Sequence, residues 1–167
     1  MEVDFNIALL FVRSIGVHRS VRLAHPAATV ICAAARGLDG GGGLETAGVT
    51  LAINEMLLQS AGGCLRFFPV WPPARPAAFT TLRAVGGFLV SATFTPGASG
   101  GQVGADITST VGGDCVVHSA AAGGIPPAVV DTKTGSVVPV SRRASGPNDF
   151  GFGTEAEGVY RLTMSLP

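Results

Sequence analysis

Charge is scarce in this 167-residue sequence. Asp, Glu, Lys and Arg make up 13% of it, against roughly 25% in a typical soluble domain. The eleven basic and eleven acidic residues cancel, which removes the electrostatic footprint expected of a protein that binds nucleic acid or an anionic membrane surface. Aromatic residues are also few, at 7%, with a single tryptophan. The three cysteines, Cys32, Cys64 and Cys115, are widely spaced and odd in number, so they outline neither a disulfide framework nor a Cys-x-x-Cys redox or zinc motif. Buried thiols are the plainer reading. His18, His25 and His118 lie far apart and lack metal-ligand spacing, so neither a metal nor a cofactor is expected. No apolar run reaches the ~20 residues of a membrane-spanning helix. The stretch Asn6 to Val12 is too short and ends at Arg13.

What the chain does have is glycine and proline, 24 and 11 residues respectively, which favour many turns over a helical bundle. A surface poor in charge and neutral overall is expected to associate with neighbours. Residues 1–43 read as an unassigned leader or linker, poorly ordered. A secretory signal would place basic residues before the apolar run, whereas Glu2 and Asp4 occupy that place. Alanine propensity alone would allow a short helix between Ala27 and Ala35. The run Gly37 to Gly43 invites a phosphate-loop reading, but no Gly-Lys-Ser/Thr follows it.

From residue 44 the pattern becomes informative. Val49, Ile53, Met56 and Leu57 recur at i, i+4, i+7 and i+8, which predicts a helix from Glu45 or Thr46 to Ala61, stopped by Gly62-Gly63. This helix occupies a segment taken as 44–62. The rest, 63–167, reads as antiparallel β structure. Leu65 to Phe68 is a short strand ending at Pro69, and Pro69, Pro72, Pro73 and Pro76 stiffen a corner around Trp71. Phe88, Val90, Ala92 and Phe94 alternate on one face of a strand. Pro96 to Gly101 is a hairpin loop; Val103 to Ser109 and Asp114 to His118 are strands. Ala128 to Asp131 and Ser136 to Val140 make a hairpin about Lys133-Thr134-Gly135. Ser141 to Asn148 is a basic, flexible loop, and Phe150 to Phe152 and Gly158 to Met164 close the chain as strands. Short strands punctuated by turns predict an antiparallel β-sandwich.

Three stretches carry a family resemblance: Glu55-Met56-Leu57-Leu58-Gln59-Ser60, Phe68-Pro69-Val70-Trp71-Pro72, and Leu82-Arg83-Ala84-Val85-Gly86-Gly87-Phe88. In order and spacing they resemble the C-terminal part of glycoside hydrolase family 95, the inverting α-L-fucosidases and their relatives. Gly113-Asp114-Cys115, Phe150-x-Phe152-x-Thr154 and Tyr160-x-Leu162 fit its terminal β domain more loosely, so the resemblance covers about 44–164. It implies a mainly β domain preceded by one or two helices, the remnant of an (α/α) barrel. The barrel would be the partner that the β domain buttresses, in an enzyme family that is usually secreted or extracytoplasmic.

Inverting hydrolysis needs a general acid and an activated water, at positions roughly 6.5–9.5 Å apart. The family's acid lies upstream of anything that matches here. Its Asp-Gly-Asn-Phe-Gly element falls on Leu44-Glu45-Thr46-Ala47-Gly48. Leu44 therefore stands at the aspartate position and Thr46 at the asparagine position, and Glu45, one residue off, is the one weak catalytic candidate. The chain alone is expected to be inactive. Trp71 is the candidate substrate contact, since an aromatic face can stack on a sugar, although corner packing is its plainer role. Arg83 is expected to bond loop carbonyls or a carboxylate at the domain junction. Ser99 sits in a Gly-x-Ser-x-Gly frame without the strand-to-helix context of a nucleophile elbow. The alternative reading of the chain is an independent carbohydrate-binding or interaction module.

Overall fold

The computed structural model describes residues 51–167 apart from 99, 122 and 123. The leader, the glycine run, Glu45, Cys32, His18, His25 and Ser99 lie outside the described residues. Residues 51–57 are helical (α1). Ten strands follow: β1 (Leu58–Gln59), β2 (Cys64–Phe67), β3 (Ala77–Ala84), β4 (Phe88–Gly97), β5 (Gly100–Ser109), β6 (Gly113–His118), β7 (Ala128–Asp131), β8 (Ser141–Arg142), β9 (Asp149–Thr154) and β10 (Gly158–Leu166). They form two five-stranded sheets, ordered β1-β2-β6-β9-β8 and β3-β4-β5-β10-β7. Every pairing is antiparallel except β2 with β6, which is parallel. The protein is a β-sandwich preceded by a short helix.

Alternation explains how the sheets pack. Phe88, Val90, Ala92 and Phe94 of β4 are all buried, as their period of two predicts, and so are Val103, Ala105 and Ile107 of β5 and Tyr160, Leu162 and Met164 of β10. The opposing sheet contributes Leu65, Phe67, Cys115, Val117 and Phe152. Three tilted aromatic pairs join the layers: Phe68 with Phe79 at 5.5 Å, Phe68 with Phe94 at 5.6 Å, and Phe152 with Tyr160 at 5.7 Å between ring centroids. Separations in this range suit tilted rings, with the positive edge of one against the negative face of the other.

Several expected boundaries shift, each for an identifiable reason. The helix stops at residue 57 rather than at Ala61, because Leu58 and Gln59 pair with Phe67 and Arg66 as a sheet edge. A 3-10 turn at Ala61–Gly63 then reverses the chain, with Gly62 at φ 69°. Of the predicted apolar stripe, Leu57 is fully buried and Ile53 packs against the same core. Strand β3 has no counterpart in the sequence reading. A register shift between Phe79 and Leu82, with Thr81 at φ 57°, bulges the strand and breaks its period of two. The hairpin loop expected over Pro96 to Gly101 contracts, since β4 runs through Gly97 and β5 begins at Gly100. Ser136 to Val140 forms only one bridge, Val137 to Val130, and Ser141–Arg142 of the expected loop pairs with β9. No helix among the described residues is long and apolar enough to cross a membrane.

Candidate functional site

Two places on this scaffold bear on function: the junction between α1 and the sandwich, and a polar cluster on the outer face of the β1-β2-β6-β9-β8 sheet.

At the junction, the amide of Phe68 donates to the carbonyl of Leu57 at 2.9 Å, and the amide of Val85 donates to Ser60 Oγ at 3.1 Å. These bonds tie the helix end to the β2–β3 corner and to the β3–β4 hairpin. Phe68 adopts φ 51°, an uncommon region for a bulky side chain, and its ring is held between Phe79 and Phe94. Trp71 sits three residues on, half-buried against the core. Its backbone amide donates to the carbonyl of Phe68 at 3.2 Å, and its indole Nε1 donates to the carbonyl of Arg75 at 2.9 Å. The only tryptophan is thereby fixed in the proline-rich corner with its polar atom satisfied. Arg83 is exposed. Leu51, Val70 and Val85 are the exposed large apolar side chains of these segments, at 62%, 65% and 57%.

The polar cluster is assembled by strand register. His118 stands opposite Asp149 across the β6–β9 ladder, while Cys64 of β2 stands beside Val116 of β6. Asp149 is buried and faces three donors. His118 Nδ1 lies 2.8 Å from Oδ1, Ser145 Oγ donates to Oδ2 at 2.8 Å, and Cys64 Sγ lies 3.7 Å from Oδ1. The hydrogen bond from His118 is the main reason the Asp149 carboxyl is held below its ordinary pKa; burial opposes the shift, and Ser145 reinforces it. The Cys64 thiol moves the other way, up to about 11, by burial first and then by the charge of Asp149. Burial similarly raises Cys115 to about 12. Neither thiol is a nucleophile near neutral pH, because the reactive species is the thiolate.

The cluster also fastens the segment 143–149. The Arg143 amide donates to the Asp149 carbonyl at 2.7 Å, and the Ser119 amide donates to the Asn148 carbonyl at 2.8 Å. Arg143 crosses directly over Gly151, where a side chain would collide with its guanidinium, and pairs with Asp114. Arg142 donates to the carbonyls of Pro147 and Gly124 and lies 5.0 Å from the centroid of the Phe150 ring.

Chemically, an aspartate holding a histidine can orient a general base, but no hydroxyl or water-activating carboxylate among the described residues bonds to the imidazole to complete that machinery. Nor does any group of three or more His, Cys, Asp or Glu among those residues have the arrangement of a metal site. The arrangement does the work of a fastener. Sequence reading passed over His118 and Asp149 because 31 residues separate them and only the β6–β9 register brings them together. Glu45 lies outside the described residues, and Trp71 is bonded within its own corner, with its indole on the Arg75 carbonyl. No protein-family model matches the chain, and no curated protein matches it.

Proposed function

We propose that the β-sandwich is the structural domain of a carbohydrate-active hydrolase resembling the α-L-fucosidases of family 95. In this reading it buttresses a helical catalytic barrel and carries no catalytic group of its own. The observation that supports this is the construction of the junction. The last helical turn does not lead into a linker: Leu57 and Leu58 are buried in the sandwich core, the chain passes directly into an edge strand, and two hydrogen bonds fix the join. A helical unit attached before residue 51 would thereby be held at a defined angle, which is what a buttress needs. The proposal also accords with the fastener character of the His118–Asp149 cluster, since a support domain needs order and no chemistry.

The carbohydrate-binding alternative that rests on Trp71 is disfavoured, because that indole is packed and hydrogen-bonded in its corner. Two measurements test the buttress. Hydrogen exchange should find the amides of Phe68 and Val85 protected to the same degree as those of β4 and β5; exchange at the rate of an open loop would remove the rigid junction. Aryl α-L-fucosides should not be hydrolysed by the purified chain. Turnover that survives both Glu45→Gln and Glu55→Gln would show that the chemistry lies elsewhere in this chain.

A further inference from the structure

The segment that Asp149 fastens to the β1-β2-β6-β9-β8 sheet carries a specific charge pattern. It reads Arg142-Arg143-Ala144-Ser145-Gly146-Pro147. Arginine stands three and two residues before a serine, and no other hydroxyl residue of the chain has arginine at both places. Protein kinases choose their substrates partly by charge pattern. A class of serine/threonine kinases reads arginine at these two positions with carboxylates, whose geometry the guanidinium fork matches.

The placement of the serine suits modification. Ser145 is exposed and lies in the loop between β8 and β9. Strand β8 is only Ser141–Arg142, paired with two residues of β9. So short a ladder at a sheet edge belongs to the part of a structure that opens locally without global unfolding. Opening is required, because the closed segment occupies both arginines. Arg142 donates to the carbonyls of Pro147 and Gly124, and Arg143 pairs with Asp114. A kinase can read this sequence only in the open form.

The hydroxyl is also one of the ties that close the segment. Ser145 Oγ donates to Asp149 Oδ2 at 2.8 Å, and the Asp149 amide donates to the Gly146 carbonyl at 3.2 Å. The turn is tight, since a Cβ on Gly146 would lie 2.9 Å from the same Oδ2. A phosphate on Ser145 cannot keep this arrangement. It puts a charge of about −1.5 to −2 where a donor proton had been. Facing inward, it meets the buried Asp149 carboxylate; turned outward, it gives up the bond. Either way the segment loses a tie.

We propose that Ser145 is a phosphorylation site for an arginine-directed serine/threonine kinase, and that the phosphate holds residues 143–149 away from the sheet. In the transfer, Ser145 Oγ attacks the γ-phosphorus of ATP and its proton passes to the base of the kinase. The bond between the γ-phosphorus and the β–γ bridging oxygen breaks, and ADP leaves. The site uses none of the residues of the α1 junction and does not depend on the buttress reading.

The test treats the full chain with Mg-ATP and the catalytic subunit of cyclic-AMP-dependent protein kinase, an arginine-directed enzyme, and locates phosphate by peptide mass spectrometry. Ser145 should be the principal acceptor. Arg142→Ala separates recognition from access. It removes ties that close the segment, so a purely structural arginine would speed transfer, whereas recognition predicts a loss of about tenfold. Asp149→Asn, which weakens the fastener, should speed transfer. In the phosphorylated chain, amide exchange in residues 143–149 and β8 should quicken about tenfold, more than in Ser145→Ala, while β4 and β5 stay protected. Absence of phosphate from Ser145, or faster transfer to Arg142→Ala, overturns the site. Unchanged transfer to Asp149→Asn, or unchanged exchange after phosphorylation, overturns the release. Each of these results leaves the buttress to be judged by exchange at Phe68 and Val85 and by turnover.

Discussion

The two sheets of the sandwich are held together by different means. In the β3-β4-β5-β10-β7 sheet, four strands of eight to ten residues pair in long ladders. Backbone hydrogen bonds and an inward apolar row supply its order, and its outer side chains are mostly free of internal bonds. The β1-β2-β6-β9-β8 sheet has strands of only two to six residues, one pairing of them parallel. Its outer face is bound by side chains, Asp149 to His118, Ser145 and Cys64 and Arg143 to Asp114, and its edge strand by Arg142 to two carbonyls. A short ladder fixes few backbone groups, so individual side-chain bonds carry more of the order there. One sheet should therefore tolerate change on its outer face, and the other should not.

The largest expected effect tests what the sheets share. Phe79 is fully buried in the long sheet and packs on Phe68 beyond the end of β2. Phe79→Ala should lose about 3–5 kcal/mol by removing the ring and leaving a cavity. Urea unfolding followed by tryptophan fluorescence and by circular dichroism should show one coincident transition; two separated transitions would mean that the sheets fold as independent units.

Next in size is Asp149→Ala, expected to cost about 2 kcal/mol, because His118, Ser145 and the buried Cys64 thiol all lose their charged acceptor. Hydrogen exchange should quicken in residues 143–149 and at β8 while β4 and β5 stay protected. Acceleration spread evenly over both sheets would break the contrast. The same carboxylate sets a pH dependence. Its folded pKa lies below the ordinary value of 3.8, so its stabilisation is complete above that value and is lost as pH falls through it toward the depressed folded value. Acid unfolding of Asp149→Asn should lack this component, and an unchanged acid transition would show that the fastener does not titrate as described.

Trp71→Phe should lose about 1 kcal/mol, the worth of one hydrogen bond to the Arg75 carbonyl, as read from the denaturation midpoint. The smallest effect belongs to the long sheet's outer face. Arg161→Gln breaks an exposed ion pair with Asp106 and should leave the melting temperature within error of the wild type, since exposed pairs contribute little. A clear drop there would remove the distinction between the two faces.

Much of the long sheet is legible in the sequence. Phe88 to Phe94 and Gly158 to Met164 alternate cleanly, and both strands appear where alternation puts them. Strand β3 is not legible, because the bulge at Thr80-Thr81 places Phe79 and Leu82 three apart while both face inward. The short sheet is the less readable one. Two-residue strands are too brief to show any period, and β1 hides inside a helical stripe whose last members turn into a sheet edge. The site residues divide in the same way. Trp71 stands out by composition, yet its packing in the corner cannot be seen without coordinates. Asp149 and His118 are unremarkable until register joins them.

The amino-acid pattern alone determines the class of this protein. Scarce charge, abundant glycine and proline, and short alternating runs lead to paired β layers, because each such run can bury only one face. The tertiary structure decides what becomes of the particular residues. It turns the end of a helix into a strand, closes the only tryptophan into a corner, and draws a histidine and an aspartate into one fastener. Those outcomes depend on which strands become neighbours and in what register. Register is fixed by the packing of the whole sandwich, and no local run of sequence contains it.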